Sequence, residues 1–258
     1  MTAVDQAAAL SRRSLVGTAR QPAVWLPGLF FPLMLAAVYS SQFAKAVDLP
    51  GFPYPDATFL DFMLVASVLQ GVSFGSIGSA AGLALDIENG FMDRLLSSPV
   101  SRSSILVGRL AGGMGFAITQ TLVLVTVFLV FGAQMAGGVA SVVTLAVVAA
   151  LLALGLGGLG SAIALKTGSQ EVVQSIFPVV FIFIFISSAF FPVELMEGWY
   201  GAIAEQNPIT WVIDPTRELT VVGFDLATAV EAVAVAAGIG AIGVVVAFLQ
   251  LRRRMATL

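Results

Sequence analysis

From Phe59 to Leu85 the chain carries one ionisable residue, Asp61, near the start of the run. From Ile105 to Phe131 it again carries one, Arg109, also near the start. Stretches this long with so little charge suit hydrocarbon, because about 20 apolar residues in a helix span the ~30 Å core of a bilayer. Four further runs share the property: Val24–Phe43, Val139–Leu165, Val172–Phe190 and Ala227–Gln250. Only 10% of all residues are charged and 58% are hydrophobic, whereas a soluble domain carries about a quarter charged residues. The expectation is an all-α integral membrane protein, a single transmembrane domain over residues 1–258 with six transmembrane helices. The fifth run contains VVFIFIFI, which is strand-like by residue type; its length and freedom from charge decide for a helix. Pro27, Pro32 and Pro178 fall inside runs and predict kinks.

Orientation follows from Lys and Arg, which accumulate on the cytoplasmic side. With the N-terminus inside, ten of the twelve basic residues are inside, leaving Lys45 and Arg217 outside. Five acids fall inside and ten outside. Both termini are then cytoplasmic. Arg252, Arg253 and Arg254 read first as a stop-transfer anchor. Residues 1–22 lack the apolar run and small-residue cleavage site of a removable signal peptide.

Between the second and third runs lies Asp86–Arg109, DIENGFMDRLLSSPVSRSSILVGR. Ile87, Phe91, Met92, Leu95 and Leu96 recur at helical spacing and share one face. Asp86, Glu88, Asp93 and Arg94 fall mainly elsewhere. Pro99 disfavours helix at Ser98 and ends the element, and Ser101 can cap the next helix. An apolar face at the membrane surface, beside fixed charges, predicts that a partner docks at 86–104.

Two other segments depart from simple loops. Residues 1–22 offer a cytoplasmic amphipathic helix: Ala3, Ala7, Leu10, Ser14 and Gly17 line one side of 3–20, with Arg12, Arg13 and Arg20 supplying charge. A loosely ordered basic tail fits the same pattern. Pro22 suits the first turn of the following helix. Residues 191–226 are too polar and proline-broken for one span, yet too apolar for an ordinary loop. Asn207-Pro208 and Asp214-Pro215 each read as an N-cap followed by the first helical position. Trp199, Tyr200 and Trp211 suit the headgroup level. The expectation is an external re-entrant hairpin of two short helices. An external loop with surface helices is the alternative.

Small residues recur at four-residue spacing in the second run: Gly71, Gly75 and Ser79, and Gly78 and Gly82. Gly155, Gly157, Gly158 and Gly160 mark the fourth. Such spacing admits close helix approach, more simply within one chain than between two.

The chain has no cysteine and no histidine. That excludes disulfides, Cys/His metal sites and histidine-based triads. Lys166-Thr167 invites a phosphate-loop reading, but Leu165 stands where that motif needs glycine. No catalytic site is expected. Gln70, Gln120, Gln174, Ser187 and Ser188 are polar groups in or near spans. They could line a substrate path, or make interhelical hydrogen bonds. Glu231 lies about one turn, roughly 6 Å, inside the sixth run. It belongs with the substrate-path candidates, unless it snorkels to the interface.

Two blocks resemble a known family. The first is Glu88-x-Gly90, then Leu95-Leu96-x-x-Pro99-Val100-x-Arg102, ending at Gly108-Arg109. The second is Ser188-Ala189-Phe190-Phe191-Pro192, then Asn207-Pro208-Ile209-Thr210, ending at Arg217. Their spacing, with the span count and orientation, is similar to that of the six-span permeases of the ABC-2 exporters, particularly the daunorubicin-resistance type. Asp214-Pro215 departs from the family, which often has a more ordinary helical sequence there. The resemblance implies an export subunit for drugs, lipids or glycans in a prokaryotic cell membrane. Its partners would be a second copy or related permease and two separate ABC ATPase subunits, which would hold ATP and Mg. No cofactor in this chain and no nucleic acid are implied. The helix at 86–97 would be the coupling helix, with Glu88, Gly90, Phe91, Arg94, Leu95, Pro99, Arg102 and Arg109 as coupling residues. The N-terminal helix would be the connecting helix beside it. An ion-driven secondary transporter would need charged or broken helices near the midplane and internal repeats. Neither is evident. A non-transporting membrane scaffold is the third class.

Overall fold

The computed structural model describes residues 2–97 and 100–256. Helix α1, Ala3–Ala19, opens on a reciprocal cap: Thr2 Oγ1 accepts from the Asp5 amide and the Asp5 carboxylate accepts from the Thr2 amide. Helix α2, Pro22–Gln42, begins on Pro22 as expected and contains Pro27 and Pro32. Helix α3, Phe59–Glu88, repeats the reciprocal cap with Thr58 and Asp61. Asp61 also accepts from the Gln134 amide at 2.6 Å, which explains one acid at the start of an apolar run. A short α4, Phe91–Leu96, leads to α5, Arg102–Val130, capped by Ser101 as the sequence predicts. Then follow α6, Gly138–Thr167, α7, Gln170–Gln174, α8, Phe177–Phe185, α9, Gly198–Glu205, α10, Pro208–Val221, and α11, Leu226–Ala256. The described residues contain no strand.

Four of these helices, α3, α5, α6 and α11, are long and apolar enough to cross a membrane. Helix α3 is the axis: 89% of its most apolar window is buried within the bundle, against 28% for α11. The others turn apolar side chains outward, as helices facing lipid do. Glycine sets the closest approaches. A Cβ on Gly243 of α11 would lie 2.1 Å from the Gly155 carbonyl oxygen of α6. On α5, a Cβ on Gly108 would lie 2.6 Å from Leu10 Cβ, and one on Gly112 2.7 Å from Ser14 Cβ. The small face of α1 is therefore spent on α5. The small-residue spacing in the second and fourth runs serves packing within the chain, where Gly71 also meets the Gly28 carbonyl of α2.

Three expectations change. The run Val172–Phe190 is not one continuous helix; it is divided between α7 and α8, with Pro178 at the start of α8. Nine residues of α8 rise only about 14 Å. The helix stops because the Asn207 amide takes the carbonyls of Phe183 and Ile186, and Tyr200 Oη donates to the Phe185 carbonyl. Second, Asn207 caps α10, its side chain accepting from the Ile209 amide at 2.9 Å, but Asp214-Pro215 starts nothing. Helix α10 runs through Pro215, and the Asp214 carboxylate is taken by Arg217. Third, Asp86, Ile87 and Glu88 are the last turn of α3, and the short helix of the coupling region is Phe91–Leu96 alone.

Candidate functional site

The basic end of the bundle is built around Asp86. Arg109 of α5 donates to its carboxylate and also, at 3.1 Å, to the Ser79 carbonyl. Arg13 of α1 lies 3.6 Å from the other carboxylate oxygen and 4.0 Å over the Phe91 ring. One acid thus joins α1, α3 and α5, and Arg13 extends the joint to α4. Glu88 reaches across to α7, where its carboxylate accepts from the Gln170 amide at 2.8 Å. It caps a neighbouring helix rather than its own. Gly90, at φ +66°, makes the left-handed joint between α3 and α4; a Cβ there would meet no neighbour, so conformation, not space, requires the glycine. Arg94 donates back onto the joint, to Gly90 O at 3.4 Å and Asn89 O at 3.5 Å.

The apolar face of α4 is shared between the bundle and the outside. Met92 is buried and packs with Ile87, Leu106 and Leu165. Leu95 and Phe91 are half-buried. Phe91 is therefore not a bare ring waiting for a partner, because Arg13 already covers one face. Arg102 is exposed, its guanidinium 3.6 Å from Met255 Sδ. Arg254 donates to the Leu165 carbonyl at 2.8 Å, and Gln6 Oε1 accepts from the Ser101 amide at 2.9 Å. The ends of α1, α3, α4, α5, α6, α7 and α11 are thus linked in one platform. Pro99 and its helix-ending role lie outside the described residues, as does the side chain of Leu96.

The opposite end centres on a buried cation from the segment expected to form the external hairpin. Arg217 of α10 is 1% exposed. Its guanidinium donates to Phe62 O at 3.1 Å, Ser188 O at 2.8 Å, Ala189 O at 3.2 Å and Asp214 Oδ1 at 3.2 Å. Three carbonyls, one carboxylate and the Phe62 ring replace its water, which is the condition for a charge to be buried. Burial raises the Asp214 carboxyl above its ordinary range, against the pull of Arg217. Beside it opens a cavity of about 230 Å³ lined by Tyr54, Glu194, Asp214, Arg217, Glu218 and Glu231. A signal for Arg217 was present: it ends the second block and is one of the two basic residues expected outside.

The six substrate-path candidates are not brought onto one surface. Gln70 and Gln120 are buried in the core. Gln120 clasps α5 to α2, donating to Gly28 O at 2.8 Å, whereas Gln70 Nε2 has no partner among the described residues. Gln174 is exposed at the end of α7, near the basic platform. Ser187 and Ser188 form the turn after α8: Ser187 Oγ donates to Ile184 O, and the Ser188 amide donates to Thr210 Oγ1 at 3.2 Å. Glu231 is exposed at the acidic cavity.

An all-helical bundle with apolar outer faces, four of its helices long and apolar enough to cross a membrane, defines the class: a multi-pass membrane protein. The family profile described as "ABC-2 type transporter" matches residues 5–220, and the chain belongs to that family. Among its relatives is a protein of Pyropia yezoensis named as the transport permease ycf38, 27% identical and aligned over 84% of this chain and 74% of the relative. Another is the daunorubicin resistance ABC transporter permease protein DrrB1 of Streptomyces coeruleorubidus, 25% identical over 74% of this chain and 65% of the relative. A third, of Mycobacterium tuberculosis, is named as the doxorubicin resistance ABC transporter permease protein DrrC; it is 26% identical over 55% of this chain and 52% of its own length.

Proposed function

We propose that the chain is the membrane subunit of an ATP-driven exporter in a prokaryotic cell membrane. It pairs with a second copy or a related permease and with two separate ATPase subunits, which hold ATP and Mg. Its cargo is an amphipathic drug, lipid or glycan. The chain crosses six times, through α2, α3, α5, α6, the α7–α8 segment continued to residue 190, and α11. Both termini lie on the cytoplasmic side, and residues 191–226 face outside. The observation carrying this reading is the platform around Asp86. A short helix set between α3 and α5, tied through Arg13, Asp86, Arg109 and Glu88 to α1, α3, α5 and α7, can pass a push from an ATPase to several helices at once. The names of the drug-resistance permeases support the cargo class. The substrate path follows α3, where Gln70 Nε2 has no partner among the described residues, to the turn at Ser188.

Affinity capture of the full-length chain from its native membranes tests the reading. A nucleotide-binding ATPase is expected among the captured chains, and the isolated chain is expected to hydrolyse no ATP. Steady hydrolysis by the isolated chain, with contaminating ATPases removed, would sink the proposal. So would capture of no ATPase together with ion-driven transport in vesicles.

A further inference from the structure

A second cavity, about 200 Å³, opens beside Asp86 between α1, α3 and α5. It is far larger than the ~10–15 Å³ that admits one water. Its polar lining includes Arg13, Arg109, Asp86, Ser14, Thr18 and Gln21. Two guanidiniums therefore face one carboxylate, which leaves a single positive charge. Arg109 is occupied by Asp86 and the Ser79 carbonyl. Arg13 is not. Its side chain is 51% exposed and holds Asp86 only at 3.6 Å, with no hydrogen bond among the described residues. Its free planar donors match the oxygens of a phosphate. The hydroxyls of Ser14, the next residue, and of Thr18, more than one turn along α1, line the same cavity.

The level of the cavity points to the source of the anion. It lies where α1 hands over to α2, and Trp25 there donates its indole N–H to Ala19 O at 3.2 Å. Tryptophan at a span entrance marks the headgroup zone. We propose that this cavity binds the singly charged phosphate of an anionic phospholipid, with Arg13 as its principal ligand. One net positive charge suits a phosphodiester. A cation is disfavoured by the same charge. A choline headgroup would bring its own cation against Arg13. The bound lipid would join α1 to the bundle at the platform that carries α4.

Native mass spectrometry of the full-length chain in detergent tests this without any ATPase or transport assay, so it stands apart from the exporter reading. Dioleoyl phosphatidylglycerol and dioleoyl phosphatidylcholine are titrated separately. One phosphatidylglycerol per chain is expected to be retained in preference to phosphatidylcholine. Arg13→Gln is expected to weaken retention by about tenfold, the loss of a charge-assisted contact. Gly17 lines the cavity, and a Cβ there meets nothing within 4 Å. Gly17→Leu should therefore fill the cavity and remove retention without disturbing α1. Arg12→Gln, on the same helix but outside the lining, should change nothing. Equal retention of both lipids, or unchanged phosphatidylglycerol retention in both Arg13→Gln and Gly17→Leu, would overturn the proposal. Displacement of the lipid by millimolar inorganic phosphate alone would assign the cavity to free phosphate and overturn the lipid source.

Discussion

The guanidinium of Arg217 lies 3.7 Å over the ring of Phe62 and donates to the carbonyl of that same residue at 3.1 Å. One side chain thus grips the first turn of α3 through both its π face and its backbone. Its other donors hold Ser188 and Ala189, so the turn after α8 is fixed to the central helix. Losing the guanidinium would leave three buried carbonyls without their donor, and an unsatisfied buried polar group costs about 1–3 kcal/mol. Arg217→Met is expected to lose about that much in thermal unfolding of the detergent-solubilised chain. Asp214→Asn should cost far less, under about 1 kcal/mol, because its side chain is 40% exposed and solvent screens it. An Arg217→Met protein with an unchanged midpoint would mean the guanidinium does not hold the hairpin.

Tyr54 lines the acidic cavity beside Arg217. Burial pushes its phenol up to about 12, with Arg217 pulling the other way and Asp214, Glu194 and Glu218 adding to the rise. The unfolded chain ionises this phenol first, near its ordinary value of about 10. Between pH 10 and 12 the folded state therefore binds more protons, and stability falls as pH rises through that window. Ultraviolet titration of the three tyrosines should show a component near pH 12 that Tyr54→Phe removes. A titration curve unchanged by Tyr54→Phe would contradict the assignment.

Two glycines of α11 make opposite predictions. A Cβ on Gly243 would meet the Gly155 carbonyl carbon at 2.7 Å as well as its oxygen, whereas one on Gly238 meets nothing within 4 Å. Gly243→Ala must push α6 and α11 apart, and overpacking of this kind costs about 1–3 kcal/mol. Gly238→Ala should be neutral or stabilising by up to about 1 kcal/mol, through helix propensity. Equal unfolding midpoints for the two variants would show that the helices separate at no cost.

These contrasts mark what the sequence could carry. Local signals were legible: Ser101 and Asn207 cap where their hydroxyl and amide permit, Pro22 opens α2, and four of the six apolar runs lie in helices long and apolar enough to cross a membrane. Partners distant in the chain were not. Nothing in VVFIFIFI announces that the helix stops at Phe185; the stop is made by Asn207 and Tyr200, residues of the next segment. Asp214-Pro215 has the form of a helix start, yet Arg217 takes the acid and the helix continues. The same limit applies at the basic platform. Asp86 and Glu88 shared a charged stretch with Phe91, but only the fold shows that α3 continues through both, and that Glu88 caps α7. Gly108 and Gly112 stand four apart, but only the fold shows that α1 packs against them.

The orientation has a direct test. The chain lacks cysteine, so single cysteines report without background. One at exposed Glu205 should be labelled by an impermeant maleimide in intact cells, and one at exposed Ser97 should not. The reverse pattern would invert the proposed direction of coupling.

Helix α4 is the coupling helix of the proposed exporter. Fully burying a phenylalanine side chain contributes about 1.5–3 kcal/mol. Phe91 is already half-buried beneath Arg13, so only part of that is left for an ATPase groove. Phe91→Ala is expected to weaken ATPase association by about tenfold, equivalent to ~1.4 kcal/mol. Loss of the ring could also act indirectly, by freeing Arg13 and loosening α4. Arg13→Gln separates these routes, because it removes the cation and leaves the ring. If the ring itself docks, Phe91→Ala weakens association and Arg13→Gln does not. Equal weakening would make Phe91 a positioning residue for α4. Glu88 behaves differently, since its carboxylate holds the Gln170 amide within this chain. Glu88→Gln keeps an oxygen acceptor for that amide, and Glu88→Ala does not. Glu88→Ala should therefore lower substrate-stimulated hydrolysis while association persists, and Glu88→Gln should retain more of it. Undiminished association and hydrolysis in Phe91→Ala, in protein verified as folded and membrane-inserted, would place the transmission site elsewhere on the platform.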